Sequence, residues 1–167
     1  NGGTLYTPYI VSSIGDKDNN PKVKKEKIIT KETSNLVKYA LESVVANGSG
    51  RNAYIENYRI GGKTGTAQKV GSDGRYMYGN YVLSFIGFMP ANDPEYVIYI
   101  ALDHPTGVTQ YGGVVSAPIA RNVLKDIISI YNIPESKDGI PKSYRWDDIV
   151  YVTVPDIVGK TKKEAKV

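Results

Sequence analysis

The sequence runs to 167 residues, about one domain's worth of chain at the usual ~100–200 residues per domain and long enough to bury a core. Hydrophobic residues at 41% and charged residues at 23% are the proportions of a folded globular protein, which sets aside a disordered tail and a membrane bundle. Cysteine is absent and His104 is the single histidine, so thiol chemistry, disulfides and a multi-histidine metal site are excluded; no metal or cofactor is expected, and the net charge is +4.

In chain order, residues 4–14 mix Tyr, Val, Ile and Thr with Pro8 and read as a short edge or irregular strand. Residues 15–21 read as a polar loop. Residues 17–38 hold seven lysines against Asp18, Glu26 and Glu32, and residues 160–167 hold four against Glu164. Neither stretch carries aromatic readers or an apolar helix face, so both read as solvated surface, and neither nucleic acid nor a membrane surface is an expected partner. Thr30 is a candidate N-cap with Glu32 in the first turn of a helix in which Leu36, Ala40, Leu41, Val44 and Val45 recur, stopped by Asn47-Gly48.

The pattern then turns to strands. Residues 59–68 form one and residues 81–89 another, with Asp73-Gly74 marking the hairpin between them. Residues 96–102, Tyr-Val-Ile-Tyr-Ile-Ala-Leu, are an unbroken apolar run, the signature of a strand covered on both faces. Together these predict a three-strand antiparallel meander. After Gly112-Gly113 a helix is expected in which Val115, Ile119, Val123, Ile127 and Tyr131 recur beside Ala120, Leu124 and Ile128, with Pro118 in the first turn and Pro134 closing the element. Residues 135–152, with Pro141 and the only tryptophan, Trp146, read as a linker. His104 reads as a turn residue, and the fourteen tyrosines fit exposed strands, some of them lining a groove for glycan or peptide.

Gly61-Gly62-Lys63-Thr64-Gly65-Thr66 invites two chemical readings. A phosphate-binding P-loop needs a glycine at position 57 and a helix directly after the threonine; Asn57 and the hairpin that follows Thr66 fail both conditions. The alternative is the Lys-Thr-Gly element of serine acyl-transferases, on a strand edge. There a cation and a hydroxyl can hold a carboxylate, the bare Gly65 admits a second backbone, and the N–H two residues beyond Thr64 can serve an oxyanion.

Lys63-Thr64-Gly65-Thr66-Ala67-Gln68, the strand ending Phe85-Ile86-Gly87-Phe88-Met89-Pro90, the opening Asn1-Gly2-Gly3-Thr4-Leu5-Tyr6-Thr7-Pro8, Gly48 and Gly50 after the Val44-Val45 helix end, and Gly112-Gly113 with Ala117-Pro118 follow one another in a recognisable order. Over residues 1–134 the sequence resembles the C-terminal portion of a class B penicillin-binding transpeptidase domain of the cell-division or sporulation type. The resemblance implies an α+β fold, the α/β sandwich of penicillin-binding proteins and serine β-lactamases, of which this chain supplies a partial antiparallel sheet packed by helices. It also implies that Lys63 tunes a proton network, that Thr64 and Thr66 hold a terminal carboxylate, that the Thr66 N–H completes an oxyanion hole, and that substrate lies along Thr66 to Gln68 as an added strand. The catalytic assignments are thus Lys63 and Thr66, and the substrate-binding ones Thr64, Gly65, Thr66 and Gln68.

Residues 154–165, Val-Pro-Asp-Ile-Val-Gly-Lys-Thr-Lys-Lys-Glu-Ala, resemble the opening of a PASTA module, so 153–167 is expected to begin a second domain. No serine is followed by Lys at the third position or Asn at the second, so the family's Ser-x-x-Lys and Ser-x-Asn elements are missing and the chain alone is expected to be inactive. The expected partners of the parent protein are peptidoglycan stem peptides and β-lactams, with membrane contact only through an N-terminal anchor outside this chain. An open sheet edge invites pairing with the missing half or self-association. A β-lactamase or β-lactam sensor, and a peptidoglycan-binding module without catalysis, are the alternatives.

Overall fold

The fold is that of a computed structural model described over residues 2–143. The expected PASTA start and residues 144–152 of the expected linker lie outside the described residues. Near the N-terminus, β1 (Leu5–Thr7) pairs antiparallel with β4 (Lys22–Lys25), and β2 (Ser13–Ile14) with β3 (Lys17–Asp18). This corrects two expectations: the strand over residues 4–14 is split in two around Pro8, and the lysine-rich loop supplies β3 and β4. All four strands are exposed throughout, so no buried face imposes an alternation that lysines would violate.

Helix α1 (Lys31–Asn47) begins where expected: the Thr30 hydroxyl accepts the Thr33 N–H at 3.1 Å. It stops at Gly48, whose N–H returns to the Val44 carbonyl. Its buried face differs from the expected stripe. Ser34, Glu42, Val45 and Ala46 are buried, whereas Leu36 is 69% exposed. Glu42 decides the rotation, because its carboxylate meets Arg59 in a double hydrogen bond at 3.0 and 2.8 Å and takes that face inward.

After a short 3-10 turn (Arg51–Ala53), β5 (Gly61–Val70), β6 (Tyr76–Met89) and β7 (Tyr96–Asp103) form the antiparallel meander in that spatial order. Helix α2 (Gly112–Tyr131) returns across it. Val45 of α1, Ala53 and Ile55 after it, Phe85 and Met89 of β6, Ile98 of β7, and Ala117, Ala120 and Leu124 of α2 close one core. All its sheet residues come from one face, so both helices pack on the same side.

The other face is bare among the described residues: Ile86 is 48% exposed, Val97 73% and Tyr99 62%. The apolar run of β7 is therefore covered on one face only, and its outer edge is unpaired in the described sheet, which corrects the expectation of a strand covered on both sides. In α2 the helix starts at Gly112 itself, so Pro118 lies in the helix interior and not in the first turn. The face that packs on the sheet is built from the small Ser116, Ala117 and Ala120 with Leu124, while Ile119 and Val123 of the expected stripe stay over a third exposed. Small residues let the helix approach closely, and the buried Ser116 hydroxyl donates to the Leu83 carbonyl at 3.0 Å.

Asn132, in the left-handed region at φ 48°, ends α2. The chain beyond it folds back on α1. The Ser136 N–H donates to the Asn57 carbonyl, the Ile140 N–H to Glu42 Oε1, and the Ser143 N–H to Asn47 Oδ1. The first nine residues of the expected linker are thus bound to the body of the domain.

Candidate active site at the edge of the sheet

Side chains alternate along β5, and the register states which face each takes. Lys63 is opposite Ile86, which is opposite Tyr99, so it stands on the bare face. Thr64 is opposite Phe85 and Thr66 opposite Leu83, both fully buried, so the two hydroxyls stand on the helix-covered face. The residues named from the sequence are therefore contiguous but divided between the two sides of one edge strand.

Gly61-Gly62, the pair that suggested a phosphate loop, has a packing role. A Cβ on Gly61 would lie 2.4 Å from the Phe88 ring, and one on Gly62 2.5 Å from the Phe85 ring. The glycines give the two phenylalanines room to lie across the strand, and the segment is strand throughout, which agrees with the rejection of a P-loop.

On the covered side, Thr64 and Thr66 open into a cleft of about 190 Å³, shared with Ser49, Arg51, Asn52 and Tyr111. Ser49 Oγ lies 3.1 Å from Thr64 Oγ1, and the Gly112 N–H at the start of α2 donates to Thr66 Oγ1 at 3.3 Å. Asn52 Nδ2 donates to the Gly113 carbonyl at 2.8 Å, tying the 3-10 turn to the same helix end. Hydroxyls, the Arg51 guanidinium and the positive end of a 20-residue helix with no side-chain cap make this cleft suited to an anion such as a carboxylate. A larger cavity of about 620 Å³, lined by Tyr54, Arg121, Lys137 and Lys142 among others, lies beneath the returning tail and touches none of Lys63 to Gln68.

Sequence reasoning did not find Ser49, Arg51, Asn52 or Tyr111. Each lies in a connection whose position relative to β5 is set only by the packing of α1 and α2. Gly65 and Thr66 lie on β5, paired with Ser84 and Leu83 of β6. The Gln68 side chain is engaged elsewhere, its Nε2 donating to the Met77 carbonyl at 3.1 Å, so any substrate contact at that position falls to the backbone. Lys63 Nζ donates to the Thr64 carbonyl at 2.7 Å. β5 pairs only with β6 in the described sheet, so alternate backbone N–H and C=O groups along its outer edge face away from the ladder, open to an added strand or an oxyanion. His104 occupies a left-handed turn position at φ 49° just after β7, exposed and remote in role from this edge.

An antiparallel sheet with its helices on one face and a Lys-Thr-Gly-Thr edge strand abutting the start of the last helix places the chain in the α+β class shared by penicillin-binding proteins and serine β-lactamases. The profile of the penicillin binding protein transpeptidase domain matches residues 1–125, and the chain belongs to that family. It is 50% identical over 165 residues to Stage V sporulation protein D of Bacillus subtilis, covering 95% of this chain and 25% of that protein. It is 33% identical over 130 residues to the peptidoglycan D,D-transpeptidase FtsI of Escherichia coli, covering 77% of this chain and 21% of the other. Penicillin-binding protein 3 of Mycobacterium tuberculosis, solved in complex with ampicillin, superimposes with a TM-score of 0.60 at 27% identity, over 74% of this chain and 30% of that one. The chain thus spans a quarter or less of the length of these two curated relatives.

Proposed function

We propose that the protein carrying this chain is a serine D,D-transpeptidase of peptidoglycan synthesis, and that this chain supplies its carboxylate-binding and oxyanion wall. A serine outside the chain attacks the carbonyl carbon of the penultimate D-Ala of a stem peptide. The C–N bond breaks, terminal D-Ala leaves with a proton, and an amine of a neighbouring strand displaces the serine from the resulting ester, restoring its hydroxyl. Thr64 and Thr66, with the cleft behind them, bind the terminal carboxylate. The Thr66 N–H serves the oxyanion, and Lys63 holds the proton network on the opposite face. β-Lactams acylate the same serine.

One observation carries this reading: the division of Lys63 from Thr64 and Thr66 across an open strand edge. A nucleophile supplied by whatever covers the bare face reaches Lys63, while the leaving end of the substrate enters the cleft on the other side. The names of the relatives favour a protein of peptidoglycan synthesis with a sporulation or division role. The sequence resemblance alone is what suggests residues 1–134 as transpeptidase domain, a membrane anchor outside this chain and a PASTA module beginning at 153–167.

Fluorescent penicillin tests the reading. The full-length protein is expected to take up label covalently, and the chain by itself none. In the full-length protein, Lys63→Ala and Thr66→Val should each slow acylation by about a hundredfold or more. Unchanged labelling of both variants, or a labelled band from the isolated chain, would overturn it.

A further inference from the structure

The hairpin beyond the candidate site departs from a regular ladder. Gln68 is paired with Tyr81 and Val70 with Tyr76; between those pairs β5 contributes Lys69 alone, whereas β6 contributes Met77, Tyr78, Gly79 and Asn80. Four residues opposite one make a large, irregular bulge, and bulges re-aim side chains. It is braced: Gln68 Nε2 holds the Met77 carbonyl at 3.1 Å, Asn80 Nδ2 holds the Tyr78 carbonyl at 3.0 Å, and Gly79 takes φ 75°. Its product is an aromatic surface standing in solvent, with Tyr78 93% and Tyr76 74% exposed. Among the described residues neither tyrosine is buried against the body of the domain.

Their position along the strand assigns them an occupant. With the terminal carboxylate at Thr64 and the scissile bond at the Thr66 N–H, an added peptide runs antiparallel to β5 toward Val70. Four residues remain between that bond and the sugar end of a pentapeptide stem, which at ~3.3 Å per residue is roughly 13 Å. The same rise carries β5 from Thr66 to Val70, the partner of Tyr76. The stem therefore ends level with the bulge, roughly 10 Å or two strand spacings across β5 from the bulged strand, and its glycan begins there.

We propose that Tyr78, with Tyr76, is a platform on which the apolar face of the amino sugar bearing the stem peptide stacks, so that the hairpin distinguishes glycan-linked from free peptide. The proposal rests on the transpeptidase reading above. A pyranose ring offers C–H groups to a tyrosine face and hydroxyls to its phenol, the amphipathic match for which exposed tyrosines are suited.

The test measures D-Ala release by the full-length protein from a disaccharide-pentapeptide and from the free pentapeptide, and takes the ratio of their kcat/KM values. A loss of folded protein lowers both alike and cancels in that ratio. The wild type is expected to prefer the glycan-linked substrate by about five- to tenfold. Tyr78→Ala combined with Tyr76→Ala should bring the ratio close to one, and Tyr78→Trp should preserve it. A wild-type ratio of one, or a ratio the alanine variant leaves unchanged, would overturn the proposal and leave the tyrosines to a protein partner. Failure of the wild type to release D-Ala from either substrate would overturn the transpeptidase reading, and this proposal with it.

Discussion

A Cβ on Gly112 would lie 2.4 Å from the carbonyl oxygens of both Gly65 and Ser84, because the first turn of α2 rests directly on the backbone of β5 and β6. Gly65 is tight for a different reason: its Cβ would meet only the Ser84 hydroxyl, at 2.3 Å, and a hydroxyl can rotate away. The two glycines should therefore respond differently. Gly112→Ala is expected to destabilise the full-length protein by about 2–3 kcal/mol, since neither strand can move without breaking the ladder. Gly65→Ala should cost about 1 kcal/mol or less, and adding Ser84→Ala should recover most of that. Denaturation of the three variants checks the ordering, and equal losses at the two glycines would contradict it. The same contact sets the cleft, because the Gly112 N–H that meets Thr66 is at hydrogen-bond distance only while residue 112 has no side chain.

Among the elements, α1 has an acidic residue at the centre of its buried face. Glu42 is bound by Arg59 Nε and Nη2 and by the Ile140 N–H, while Arg59 also reaches Asp138 at 3.3 Å. The Glu42 hydrogen bonds come first in raising the Arg59 pKa, so the guanidinium stays charged at any ordinary pH. Removing the carboxylate strands that cation in a half-buried site. Glu42→Ala should lower the stability of the full-length protein by about 3 kcal/mol and release the tail at 135–143, read as faster amide exchange there. The Asp138 carboxyl is held below its usual range by the Ser136 hydroxyl, then by its own backbone N–H and by Arg59. A depressed folded pKa contributes stability above the unfolded value and loses it as pH falls through the folded one. Its hold on the tail should accordingly be complete at neutral pH and fade below about pH 4. Protection of the amides at residues 136–140, taken relative to their intrinsic exchange rates, should fall over that range, and Asp138→Asn should lessen the pH dependence. Protection that instead falls on going to alkaline pH, and does so only with Asp138 present, would contradict the sign.

Considered as a whole molecule, the described residues form two layers, helices on a sheet whose other face is exposed. Ile86, Val97 and Tyr99 form an apolar band across the sheet, bordered by the edge of β7 that has no strand partner among the described residues. Apolar area on a sheet face next to a free row of backbone donors and acceptors favours association. The chain by itself is therefore expected to self-associate at micromolar concentration, and Val97→Lys with Tyr99→Lys to shift it toward monomer in sedimentation. A wild-type chain that sediments as a monomer would contradict the expectation. In the full-length protein the same band is where the nucleophile-bearing part belongs under the proposed function, since Lys63 emerges on it.

The residues by themselves determined the local elements whose cause is local: the Thr30 cap, the Gly48 stop, the Asp73-Gly74 hairpin and the meander, together with the Lys-Thr-Gly-Thr edge and its family. Capping, turn chemistry and period-two alternation act over a few residues, so they are legible without a fold. Helix rotation was not legible in the same way. Of the apolar stripe of α1, Val45 is buried but Leu36 and Ala40 are exposed, because the helix is turned by a partner seventeen residues away from Glu42, the Arg59 that binds it. Nor could spacing reveal that Ser49, Arg51 and Tyr111 share a cleft with Thr64 and Thr66, since that depends on α2 crossing back over the sheet at glycine distance. Tertiary structure alone placed Thr64 and Thr66 on the helix-covered face and Lys63 on the exposed one. A strand alternates its side chains everywhere, but only packing decides which side is covered.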